Sequence, residues 1–178
     1  MSFVKYDISL AVDRNFSIGV KGDMLFYISE DLKKFKERTT GNILVMGRKT
    51  LDSLPGGKPL PNRDNIVVSR SVKEIPGAYV VGSIEEIEPM VERIQSSSRE
   101  EKKVYLVGGG NLVRQLMDQV EYWYITYVDK EYDNFDTQVP NLFEKEDLEI
   151  IEESEWRVQD DLRYRYITFR NKNFPEEE

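Results

Sequence analysis

The sequence contains no histidine and no cysteine, so any chemistry it performs must run through carboxylates, tyrosines, lysines or water. That removes the Ser-His and Cys-His nucleophilic arrangements and nearly all zinc sites. Acids in unusual settings then matter most, and Asp31 is one. The segment Ile28-Ser29-Glu30-Asp31-Leu32-Lys33-Lys34-Phe35 reads as a helix start capped by Ser29, with Ile28, Leu32 and Phe35 on an apolar stripe. Asp31 stands four residues before Phe35, on or beside that stripe. Two roles are open to it. It is either a first-turn acid matched to the helix macrodipole, or a carboxylate facing an apolar pocket, able to grip an amidine-like ring edge through paired hydrogen bonds.

A second chemistry is phosphate binding. Val104-Tyr105-Leu106-Val107-Gly108-Gly109-Gly110 runs a strand into three glycines and then a helix, which leaves backbone N–H groups free near a helix start. It is not the dinucleotide fingerprint of the doubly wound folds, because Val113 stands where a glycine is needed. A tight turn without a ligand explains three glycines as well. Two other strand ends, Met46-Gly47-Arg48-Lys49-Thr50 and Val68-Ser69-Arg70, carry basic and hydroxyl residues that could grip a phosphate jointly or be ordinary surface charge.

These groups need a scaffold, and the hydrophobic pattern supplies one. Strands are expected at 3–12, 42–46, 65–69, 78–81, 103–107, 122–128 and 163–169, and helices at 30–38, 49–54, 84–97 and 111–119, the third opened by Ser83. Such alternation predicts a layered α/β domain. No strong helix separates 122–128 from 163–169, so these two should be antiparallel edge strands of a mixed sheet. Loops 20–24, 55–61 and 132–140, rich in Gly, Pro, Asp and Asn, are candidate site walls. The polar stretch 96–103 and the acidic end of the chain should be solvated.

At 178 residues the chain suits one domain. With 39% hydrophobic and 33% charged residues it is neither disordered nor a membrane protein, and its N-terminus carries Lys5 and Asp7 where a signal peptide needs an unbroken apolar run. A net charge of −8 argues against nucleic acid as a partner. The lack of cysteine fits a cytoplasmic setting.

Taken in order, these pieces resemble the dihydrofolate reductase family from Asp7 to about Asn171. The resemblance is carried by Ala11-Val12-Asp13-Arg14 with Ile18-Gly19, by Glu30-Asp31-Leu32-Lys33-Lys34-Phe35-Lys36 with Thr39, and by Met46-Gly47-Arg48-Lys49-Thr50. Leu60-Pro61-Asn62-Arg63, Asn65-Ile66-Val67-Val68-Ser69, Val107-Gly108-Gly109-Gly110, Thr126 and Asp136-Thr137 continue it in register.

What the resemblance implies is a single domain over 1–171 with a flexible acidic tail at 172–178, built on an eight-stranded, mostly parallel mixed sheet flanked by four helices. Its activity would be NADPH-dependent reduction of dihydrofolate by a monomer open to antifolate-type small molecules. Asp31 would be the catalytic acid and would pair with the pterin, supported by Thr126. Ala11, Leu32, Phe35, Ser53, Leu60 and Val107 would line the substrate site, with Arg63 on the glutamate carboxylate. Ala11, Ile18, Gly19, Gly47, Arg48, Lys49, Thr50, Ser69, Arg70, Val107, Gly109, Gly110, Asn111, Leu112 and Thr137 would surround the cofactor, and the Gly108–Gly109 peptide would be cis. No metal is implied. Leu25-Phe26, Ser29 and Val113 depart from the family's usual Pro-Trp, Pro and Tyr. The related alternatives are a pyrimidinone reductase of riboflavin synthesis, which lacks the same acid, and a noncatalytic nucleotide-binding module.

Overall fold

Runs such as Ile43-Leu44-Val45-Met46 are apolar at every position because both of their faces are covered, as in a central parallel strand. A computed structural model of the chain describes residues 4–20, 23–24, 27–135 and 137–175. In chain order it contains β1 (Tyr6–Val12), β2 (Ser17–Val20), β3 (Asp23–Met24), α1 (Ser29–Thr39), β4 (Ile43–Gly47), α2 (Arg48–Ser53), β5 (Asp64–Val68) and β6 (Ala78–Val81). Then come α3 (Ile87–Ser96), β7 (Val104–Gly108), α4 (Gly110–Leu116), β8 (Val120–Val128), β9 (Thr137–Gln138), β10 (Leu148–Glu153), β11 (Arg157–Gln159) and β12 (Leu162–Asn171).

The main sheet has the order β10-β12-β8-β1-β7-β4-β5-β6, with β11 paired to β12 as a ninth strand. Pairing is parallel from β8 through to β6 and antiparallel wherever β12 takes part. The expected α/β architecture with a mixed, mostly parallel sheet and four helices is what forms. The expectation that 122–128 and 163–169 would be edge strands is corrected: β1 covers one side of β8, while β10 and β11 flank β12. The short strands β3, β2 and β9 make a separate small sheet.

On one face of the main sheet, Tyr6, Ile8, Ile43, Val45, Leu106, Trp123 and Ile125 pack under Ile87, Val91 and Ile94 of α3 and Leu112, Val113 and Leu116 of α4. Each fully buried aliphatic side chain there stabilises by about 1.5–3 kcal/mol. On the opposite face Leu44, Met46, Val67 and Tyr105 pack with Leu51 of α2. Helix α1 also lies over this second face, but of its eleven residues only Thr39 is buried. Asp31 and Arg38 reach the sheet from α1 and yet stay only partly buried, so the space between helix and sheet is a cleft open to solvent.

Two expected helix caps are corrected. Ile28, not Ser29, is the N-cap of α1 and makes no side-chain cap bond. Ser29 begins the helix and its N–H donates to Gln159 Oε1 at 2.8 Å. Ser83 precedes the 3-10 turn Ile84–Glu86 that leads into α3, but its hydroxyl caps nothing; its carbonyl accepts from Glu86 N instead, at 3.2 Å. The first residues of the expected tail are tied to the body. Lys172 N donates to Asp147 O at 2.8 Å, and Arg170 Nη2 donates to the carbonyls of Phe174 and Pro175, which keeps Phe174 against the body.

Candidate active site

Ala11 on β1 and Thr126 on β8 are register partners in adjacent parallel strands, on the face that α1 covers. From α1, the Asp31 carboxylate accepts a hydrogen bond from the Thr126 hydroxyl, joining residues 95 positions apart. Burial pushes the Asp31 carboxyl up from its ordinary value. The bond from Thr126 and the charges of Arg38 and Lys34 pull it back, and Glu30 adds to the rise. Asp31 stands in the first turn of α1, partly buried, with its carboxylate turned toward the sheet. The start of α1 is held from β11 and β12: Glu30 pairs with Arg157 at 3.2 Å and accepts from the Tyr164 hydroxyl at 3.3 Å.

The stripe that seemed to run along α1 divides in the structure. Ile28 is buried against Val128 and Tyr164, whereas Phe35 is half-buried and Leu32 is 41% exposed. Leu32 and Phe35 therefore stand outside the packed core. Leu60 and Val107 are half-buried against the Leu44 and Met46 cluster. The loop carrying Leu60 and Arg63 is pinned by Asn65 of β5. Its Oδ1 accepts from Leu60 N at 3.1 Å, and its Nδ2 donates to Leu60 O at 2.9 Å and to Arg63 O at 3.1 Å.

Arg63 donates from Nε to Pro61 O at 3.0 Å and from Nη1 to Thr39 Oγ1 at 3.1 Å, at the far end of α1 from Asp31. Burial pulls its pKa down from the ordinary guanidinium value, and an anion beside it would reverse that cost. Two of its five N–H donors are used in these bonds, so others remain for a carboxylate. Ser53, at the end of α2, is exposed and its hydroxyl donates to Thr50 O at 2.7 Å.

At the other end of the cleft the C-terminal ends of β4, β5 and β7 lie side by side. The Gly108–Gly109 peptide is cis, as the resemblance implies, and Gly108 has φ +129°, a conformation that L side chains rarely adopt. A Cβ on Gly108 or Gly109 would stand 3.7 Å from Thr50 Oγ1, and one on Gly47 3.9 Å from Gly108 O. The three glycines thus form a shallow cradle walled by backbone and by Thr50, open where side chains would otherwise stand. Lys49, Arg70 and Asn111 are exposed around it.

Some expected cofactor residues are engaged elsewhere. Arg48 Nε pairs with Asp52 at 3.2 Å within α2, and the Ser69 hydroxyl accepts from Val72 N at 3.2 Å. Leu112 has its side chain in the core, so only its backbone can face a ligand. Ile18 packs half-buried against the same core, and Gly19 pairs through its backbone with Met24 and Thr137. Val113 is fully buried among apolar neighbours. Leu25, Phe26 and Asp136 lie outside the described residues. Among the described residues no cluster of three or more acidic side chains is placed to hold a metal.

Sequence reasoning missed the ties that hold the loops together. Asp13 is fully buried; its Oδ1 accepts from Asn15 N at 2.9 Å and Ser17 N at 2.8 Å, and its Oδ2 from Tyr132 N at 3.0 Å. Gln138 Nε2 donates to Asn15 O at 2.9 Å, and Arg114 Nη2 donates to Gln138 O at 2.6 Å. A Cβ on Gly110 would lie 3.0 Å from Thr137 Cγ2, so the start of α4 presses directly on β9. The turn-forming composition of 132–140 marked a wall; nothing local marked its partners.

Comparison with known proteins identifies the family. The family model for dihydrofolate reductase matches residues 7–171. The chain is 35% identical over 168 residues to a dihydrofolate reductase of Haemophilus influenzae, covering 94% of this chain and 99% of that one. It is 31% identical over 167 residues to one of Bacillus subtilis, with 92% of each covered. Over 126 residues it is 34% identical to one of Staphylococcus aureus, covering 70% of this chain and 72% of that one.

Proposed function

This chain belongs to the dihydrofolate reductase family and is an oxidoreductase that reduces dihydrofolate to tetrahydrofolate, and we propose that it draws the hydride from NADPH and the proton by way of Asp31. One observation carries the assignment of the acid. The Asp31 carboxyl is held by Thr126 inside a cleft whose burial raises its pKa, the property a general acid near neutral pH needs. Histidine is absent, and Asp7, the other acid on this face of β1 whose pKa burial raises, has Lys103 at 3.9 Å instead.

Asp31 would pair with the amidine-like edge of the pterin and hold the ring against Ala11 and Thr126. Leu32, Phe35, Leu60 and Val107 would exclude water around the pterin and the ring that follows it. Arg63 would take the carboxylate of the glutamate tail. Asp31 would then help protonate the pterin nitrogen beside the carbon that is reduced, directly or through one water. The open cradle of Gly47, Gly108 and Gly109 beside Thr50 fits a pyrophosphate, with Lys49 and Arg70 at hand for phosphate charge. When bound there, NADPH supplies the hydride. Asp31 and Arg63 together support the folate reading over pyrimidinone reduction, and substrate-side residues beside a cofactor cradle support an enzyme over a passive nucleotide binder. The reading includes a monomer, as the family resemblance implies, and a cytoplasmic setting, which the cysteine-free composition supports.

The test follows absorbance at the nicotinamide band while the purified protein is mixed with NADPH and dihydrofolate. NADPH oxidation should require dihydrofolate and be much slower with NADH. Equal efficiency with both cofactors would remove the NADPH assignment, and NADPH binding without consumption would leave only a nucleotide-binding module.

A further inference from the structure

Arg38 has no part in the roles above, yet it reaches the same cleft. It stands seven residues after Asp31, which returns it to the same helix face within about 20°, roughly 10.5 Å further along the axis. Its Nη1 donates to Ser9 Oγ at 3.3 Å, and its guanidinium carbon lies 4.0 Å from the centroid of the Tyr124 ring. Ser9 and Tyr124 are register partners, as are Ala11 and Thr126 two residues later on the same strands. The period of two places all four on one face of the sheet. Two rungs therefore connect α1 to β1 and β8, one made by Asp31 and the other by Arg38.

The contacts of Arg38 are a ring and a hydroxyl, which orient a guanidinium without neutralising it. The acids near Asp31 have their own partners: Glu30 is answered by Arg157, and Asp7 on β1 has Lys103 at 3.9 Å. Lys34, 3.7 Å from the centroid of the Tyr166 ring on β12, keeps its charge as Arg38 does. Tyr124 and Tyr105 are pushed up to about 12, chiefly by burial, and Tyr166 is raised by the same cause, so the phenols facing this cleft stay neutral. We propose that Arg38 is a positioning residue for the Asp31 acid: anchored on Ser9 and Tyr124, it sets the inner end of α1 against the sheet and places a fixed positive charge behind the carboxyl. Its charge opposes the rise that burial imposes on Asp31, more strongly than that of Lys34.

The inference rests on the acid role given to Asp31, and the experiment separates the two. Arg38→Gln keeps a planar donor for Ser9 and Tyr124 but removes the charge; Arg38→Lys keeps the charge and loses the plane. The Asp31 carboxyl is titrated by carbon NMR in the ligand-free protein, and the pH dependence of hydride transfer is measured in single turnovers. A unit charge about 10 Å away in a half-buried setting should move the midpoint by roughly half to one pH unit. Both midpoints should rise by that amount in Arg38→Gln and stay at the wild-type value in Arg38→Lys, and the shift in rate should vanish when Asp31→Asn is added. Unmoved midpoints in Arg38→Gln would overturn the inference and leave Arg38 as packing. Should that variant not fold, a raised midpoint in the charged Arg38→Lys would overturn it equally. If Asp31→Asn alone leaves the rate profile unchanged, the acid assignment fails, while the carboxyl titration still decides whether Arg38 acts on Asp31.

Discussion

Asp31→Asn isolates the proton from every other property of the site. The amide keeps the size of the carboxyl and an Oδ1 that can still accept from Thr126, so the rung between α1 and β8 survives. What disappears is the group that can deliver a proton. General acids typically contribute about 10²–10⁴-fold, or roughly 3–5.5 kcal/mol of barrier, and the expected loss of single-turnover hydride transfer at neutral pH is at least 10²-fold. In the wild type the rate should fall as pH rises through the raised pKa of Asp31. In Asp31→Asn that limb should vanish, and the rate should recover partly in acid, where substrate arrives already protonated. Stability should move the other way. A folded-state pKa above the unfolded value means that the ionised carboxyl destabilises the fold as pH rises between the two values, a penalty present in full above the folded one. The Asn variant should therefore match or exceed the wild type in thermal midpoint at pH 7, with the difference shrinking as pH falls toward the unfolded value. A variant that is stable and turns over at near-normal neutral rate would refute the acid role and return Asp31 to a helix-start acid. A variant that unfolds would refute the reading of its environment.

Arg63→Leu should weaken dihydrofolate binding by about 10- to 100-fold, the worth of a charge-assisted pair, while hydride transfer from saturated enzyme changes little; quenching of protein fluorescence gives the affinity, and an unaltered value removes Arg63 from the tail. Arg70→Ala should lower kcat/KM for NADPH by about tenfold or more and leave NADH nearly unaffected, since only the phosphorylated cofactor loses a charge partner; parallel losses for both cofactors would mean that Arg70 does not distinguish them. Asp13→Ala leaves the N–H groups of Asn15, Ser17 and Tyr132 without their acceptor in a buried setting and should cost about 3 kcal/mol or more in urea unfolding. Gly110→Ala drives a Cβ to 3.0 Å from Thr137 Cγ2 and 3.2 Å from Gln138 O, and should cost about 1–3 kcal/mol in the same assay; a neutral result would show that β9 moves aside freely.

Much of this protein is legible in its sequence because parallel strands covered on both faces write continuous apolar runs. The central strands Ile43–Gly47, Asp64–Val68 and Val104–Gly108 fall within a residue of where those runs place them. The same local reading set aside histidine and thiol chemistry and brought Asp31, Arg63 and the glycine run forward as candidates. It failed where structure depends on partners. Two-residue strands such as Asp23–Met24 and Thr137–Gln138 are too short to carry a period, and β10 and β11, exposed along most of their length, have no apolar face to declare them. Ser29 has the right side chain for a cap, but Gln159, from a strand 130 positions away, takes its N–H and moves the cap to Ile28. The setting of Asp31 was likewise not local. It comes from Thr126, 95 positions distant, whose hydroxyl donates to the carboxylate across the space between α1 and β8. Local pattern determines which residues can form an element and which face is apolar; pairing across such separations, and the burial it creates, is decided only when the sheet order brings β1, β8 and α1 together.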